Sequence, residues 1–217
     1  MKKLTMLLLA VSAAGCGGGM KYRVDDAAMD AIPASDQQPV LDARRDLEVS
    51  QGDRRTVADQ LEETNRELDI ADKERQQAQL RVDQVTSNQD AAVKSLDENR
   101  ANTAEHNKEV AGLDMKVAEA KIEWLTQKRT ADKQAGAAAD AHIEANNAKV
   151  ELEKARVAKA KGIKTASPLD VSDFESQWKG KNSDFESAEK DAASEEKSAK
   201  KLEEKWQDLQ AQRDKMK

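Results

Sequence analysis

From Val40 to Ala166 the chain places an apolar or small residue at every third or fourth position, and no proline interrupts the stretch. Alternating steps of three and four from Val40 pick out Ala43, Leu47, Val57, Leu61, Leu68, Ala71, Ala78, Val82, Val85, Ala92 and Leu96. The same register runs on through Val110, Leu113, Val117, Ala120, Trp124 and Ala131. A seven-residue repeat held this long predicts a coiled-coil helix wound against a partner. Arg54, Arg75, Gln89, Asn99 and His106 are polar at seam positions where a tight coil wants Leu or Ile. Polar seam residues cost stability and in return fix register and helix number.

Boundary signals divide the chain further. Ser35-Asp36-Gln37-Gln38 resembles a capping box and Pro39 falls in the first turn, so the long helix is predicted over 39–161. At its far end Lys154, Arg156, Lys159 and Lys161 oppose the negative end of the helix dipole. Gly162 and Ile163 follow as a Schellman ending, and Ser167-Pro168-Leu169-Asp170 reads as the start of another helix. A turn over 162–167 and a returning helix over 168–217 result. The returning helix has its own seam: Phe174, Trp178, Phe185, Ala188, Ala192, Ala199, Leu202, Trp206 and Leu209. Ser-Asp-Phe-Glu-Ser occurs in it twice, at 172–176 and 183–187, with both Phe on one face.

Folding about that turn sets Trp206 opposite Trp124, Trp178 opposite Leu152, and Phe185 opposite Ala145, large residues against small ones or one another. The predicted fold class is therefore all-α, a long antiparallel coiled-coil helical hairpin. Two stretches rich in weak helix formers, 86–90 and 99–107, could divide the long helix and give three helices. The register passes through both unchanged, which favours continuity. In that arrangement 40–111 lies beyond the reach of the returning helix, and must pair with itself, a second copy or another protein.

Composition supports a seam over a thick core. The 217 residues are 36% charged and only 3% aromatic, the profile of long charged helices. The net charge of −6 is finely mixed along the chain. Nucleic-acid binding requires basic residues concentrated on one face, and no such face is present. The two histidines, His106 and His142, stand far apart with no metal-ligand spacing, and no nucleophile elbow or phosphate loop occurs. No enzyme activity, cofactor or metal is expected.

The N-terminus supplies an address. Lys2 and Lys3 precede an apolar run, Leu4–Ala14, too short to span a bilayer as a helix, so 1–15 reads as an export signal. Ala13-Ala14-Gly15-Cys16 resembles the lipobox of bacterial lipoproteins, with Ala13 where Leu is usual; ordinary cleavage after Ala14 is the alternative. Cys16 is the chain's one cysteine, and the resemblance implies that its thiol carries a lipid anchor. Gly17 follows in place of the Asp that retains enteric lipoproteins in the inner membrane, so the resemblance implies the outer membrane and the periplasm. Gly17-Gly18-Gly19 and the residues to Gln38 read as a flexible linker, with two helical turns at most before Pro33.

Lipobox cysteine, coiled coil and terminal lysine together resemble Braun's lipoprotein in plan. That resemblance implies attachment of Lys217 to peptidoglycan and a structural role as spacer or tether. At 1.5 Å per residue a continuous helix over 40–166 would reach ~190 Å. The second expectation is an adaptor or chaperone-like module that takes a protein partner through 40–111. Partners are thus the membrane, a protein or second copy through the coiled coil, and peptidoglycan; nucleic acid is not among them.

Overall fold

The computed structural model of the protein describes residues 20–94, 97–163 and 169–216. They form a short helix α1 (Asp26–Asp30), a single 3-10 turn (Ala34–Asp36), and three long helices: α2 (Gln38–Lys94), α3 (Glu98–Ala160) and α4 (Val171–Asp214). No strand occurs among the described residues. The protein is all-α and antiparallel, and its C-terminal hairpin is the one predicted.

The seam of α2 is also as predicted. Every position of the repeat from Val40 to Ala92 is buried or half-buried except Arg75, which is exposed. What lies against it differs from the expectation. The helix predicted over 39–161 is divided between Lys94 and Glu98, with the Asp97 side chain capping α3 by accepting the Arg100 N–H at 3.1 Å. The chain reverses there, between the two candidate break points. Ion pairs run down both helices in opposite order: Arg81 with Asp114, Glu74 with Lys121, Arg54 with Asp140, and Asp46 with Lys149, each at 2.6–2.7 Å. The stretch without a visible partner therefore pairs with α3 of its own chain, and the arrangement is the three-helix one.

Register explains why the break was hidden. The repeat that continues into α3 through Trp124, Ala131, Ala138, Ala145 and Leu152 faces α4. The partner of α2 is a second repeat one residue later: Ala104, Ala111, Ala118, Leu125, Asp132 and Asn146. Leu125 and Ala111 are fully buried. A helix apolar on more than one side is a helix packed on more than one side, and α3 lies between α2 and α4, which pack along it and not along each other.

The reversal also shortens the molecule. With 63 residues in α3, the bundle is ~95 Å long at 1.5 Å per residue, half the length of a continuous helix. At one end, the base, the start of α2, the end of α3 and the start of α4 come together. The other end, the tip, is the α2–α3 turn.

The Schellman ending of α3 forms as predicted. Ile163 N–H donates to Ala158 C=O at 3.0 Å, Gly162 N–H to Lys159 C=O at 3.1 Å, and Gly162 has φ +64°. The start of α4 is shifted from the expectation. Its cap is Asp170, which accepts the Ser172 N–H at 3.0 Å, so the helix begins after Pro168 and Leu169. The residues between, 164–168, lie outside those described.

Candidate functional site

The base is where the sequence misled most. The linker expected over 16–38 is, from Tyr22 onward, a packed strap. Val24, Met29 and Ile32 are each at most 5% exposed, and they close a core with Val150, Leu152, Ala155, Val157, Ala158 and Phe174. Tyr22 packs its ring on Phe174 at 5.8 Å and exchanges two hydrogen bonds with the Gln177 amide of α4.

Beneath the strap lies a buried charge network. Lys154, 5% exposed, donates to Glu151 at 2.8 Å and to Asp26 of the strap at 2.7 Å. The other oxygen of Glu151 accepts the Val24 N–H at 2.7 Å. Burial works against the charge on Lys154, but the hydrogen bonds to Asp26 and Glu151 outweigh it and hold its pKa above the ordinary lysine value. The same lysine, by hydrogen bond and by charge, holds Asp26 below the usual carboxylate range. Lys161 adds a pair with Asp36 at 2.8 Å. The basic residues read as dipole partners thus also fasten α3 to its neighbours, and Arg156 reaches Glu175 of α4 at 2.6 Å.

Three polar seam residues of α2, Arg54, Thr64 and Gln89, find partners across the interface. Arg54 lies beside Gly136 and pairs with Asp140. Gln89 accepts from Lys108 at 2.8 Å. Thr64 is fully buried, donates to Asp132 at 2.6 Å and accepts from Lys128. Sequence reading passed over Glu151 and Asp132 as solvated helix charge, because a carboxylate four residues or fewer from a lysine looks the same on either face.

On the α4 side, Trp124 and Trp206 stack with centroids 4.8 Å apart and planes 10° from parallel. Trp178 and Leu152 share the base core. Phe185 stacks at 4.4 Å on His142, one turn from the expected Ala145. His106 is exposed on the outer part of the bundle. Cys16 and Lys217 lie outside the described residues.

Because α2 and α4 do not pack on each other, a trough runs between them with α3 as its floor. Its main part, about 950 Å³, is floored by Ala131, Ala135, Ala138 and Ala139 and bounded lengthwise by the Trp124 and His142–Phe185 contacts. Beyond the Trp124–Trp206 stack a separate, smaller hollow is lined by Arg81, Asp114, Lys121 and Arg213. Lys128 in its wall is held by Asp132, and Lys200 by Glu196 at 2.8 Å. Asp53, Glu189 and Glu203 have no ion-pair partner among the described residues, so the trough is negative.

None of these arrangements sets a nucleophile beside a base, and no group of three metal-ligating side chains occurs among the described residues. No helix among them is long and apolar enough to cross a membrane. The chain matches no known family model, no curated protein and no solved structure. The class that fold and surfaces define is a three-helix antiparallel bundle with a strapped base and an open acidic trough.

Proposed function

We propose that the protein is a non-catalytic lipoprotein of the bacterial cell envelope, anchored through an acylated Cys16 and acting as a coiled-coil spacer or tether in the periplasm at the outer membrane. The observation that supports this is the polarity of the bundle. The strap puts Tyr22 at the base, and the residues back to Cys16 span at most ~20 Å. The last turn of α4 lies well up the bundle, where Arg213 approaches Asp114 at 3.7 Å. An N-terminal anchor and a C-terminal attachment would therefore act on opposite parts of a rigid body.

Acyl methylenes buried in a bilayer contribute roughly 0.8 kcal/mol each, so a multiply acylated cysteine is a stable anchor. Replacing Cys16 with Ala tests it: the variant is expected in the soluble fraction, and unchanged partition with membranes would sink the reading. Attachment of Lys217 to peptidoglycan is tested by digesting purified cell wall and sequencing the muropeptide-linked C-terminal fragment.

One observation favours the adaptor alternative through 40–111. α4 ends short of the tip, and on the α2 arm Leu80 and Val93 are 69% and 60% exposed. A partner gripping that arm would shield both.

A further inference from the structure

The two repeats of α3 are displaced by one residue, which is 100° around a helix axis. Three mutually packed helices would need partner directions of about 60°; neighbours at the corner of a four-helix bundle need about 90°. α3 is thus built as a corner, with α2 and α4 on its two sides and the diagonal position open. The trough is that diagonal position. We propose that it receives one helix from a different protein, with a narrow apolar stripe flanked by lysine or arginine.

Three features define the occupant. The floor between Trp124 and His142 is alanine, which lets a helix backbone come close. The lining carries five carboxylates, Asp53, Asp132, Glu189, Glu196 and Glu203, against two lysines, Lys128 and Lys200, so the flanks of the incoming helix are basic. A second copy of this chain is a poor occupant, because the seams of its three long helices are already engaged. From Trp124 to His142 the floor accommodates about 18 residues of helix, or ~27 Å.

The test uses the purified chain and two synthetic helical peptides of about that length. Both carry the same Leu/Ala stripe; one has lysine flanks and its twin has glutamate flanks. The lysine peptide is expected to bind one to one, at least tenfold tighter than the twin, and to alter the fluorescence of the Trp124–Trp206 pair. Two variants separate seating in the trough from general attraction to an acidic protein. Asp53→Lys with Glu189→Lys and Glu203→Lys should weaken binding at least tenfold, and so should Ala135→Trp, which fills the trough without changing its charge. Circular dichroism confirms that both remain folded. Equal binding of the two peptides, absence of saturable binding, or indifference to Ala135→Trp would overturn the proposal. So would a sedimenting dimer of the chain alone that the triple variant dissociates, since a second copy would then fill the trough. The outcome is independent of the anchor, which is read by membrane partition of Cys16→Ala.

Discussion

Replacing Lys154 with Met keeps the length of the side chain and removes its charge. The lysine bridges Glu151, itself 7% exposed, and Asp26, whose side chain is 77% exposed. Freed of its partner, Asp26 turns to water at little cost. Glu151 cannot, and keeps one hydrogen bond from Val24 N–H while its charge stays buried. Removing one member of a buried pair costs about 3–5 kcal/mol; with that remaining hydrogen bond the lower end, about 3 kcal/mol, is expected. For a chain of this size that is a fall of roughly 6–12 °C in Tm, followed by circular dichroism at 222 nm. The double variant Lys154→Met, Glu151→Gln removes the stranded charge and leaves an amide oxygen for Val24, so it should recover most of the loss. Hydrogen exchange locates the effect: Val24 and the α1 amides should lose protection in the single variant and regain it in the double. A single variant within 1 kcal/mol of the parent, its strap amides still protected, would refute the assignment of the network as the strap's fastening.

Other outcomes follow from the same geometry. Thr64→Val removes the hydroxyl that bridges Asp132 and Lys128, which keep their own 3.0 Å ion pair, and should cost about 1 kcal/mol, seen as a lower urea midpoint. Asp97→Ala removes the cap of α3 and should cost about 1 kcal/mol, with faster amide exchange confined to the tip. The folded pKa of Lys154 is raised, so its contribution is complete below the ordinary lysine value, near ~10.4, and disappears as pH climbs through the raised one. Asp26 is lowered, so its contribution is present above ~3.9 and disappears as pH falls through the depressed value. Strap proteolysis should accordingly stay constant across neutral pH and accelerate at both extremes; a change centred near pH 6–7 would contradict it.

Much of the fold was legible as period. The α2 seam, the Gly162 ending and the Trp124–Trp206 pair each follow from local signals that tertiary structure did not override. The reversal between Lys94 and Glu98 escaped because the repeat of α2 coincides in phase with the wrong face of α3, so an unbroken pattern concealed a change of partner. Asp97-Glu98, a cap followed by a first-turn acid, was the available clue. The strap was misread because its buried residues are few and its glycine-rich approach looks like a leash. The trough lies in neither kind of signal, being a property of the angle between two seams.

The placement of the strap and the last turn of α4 has a mechanical consequence. Tension applied between the N-terminal approach and the end of α4 runs nearly parallel to the helix axes. It loads the α3–α4 seam in shear, so the Trp stack, the Phe185–His142 stack and the cross-helix ion pairs resist together. The α2–α3 tip, by contrast, carries none of α4 and opens by peeling, one turn at a time. The same molecule is therefore stiff along its length and yielding at one end.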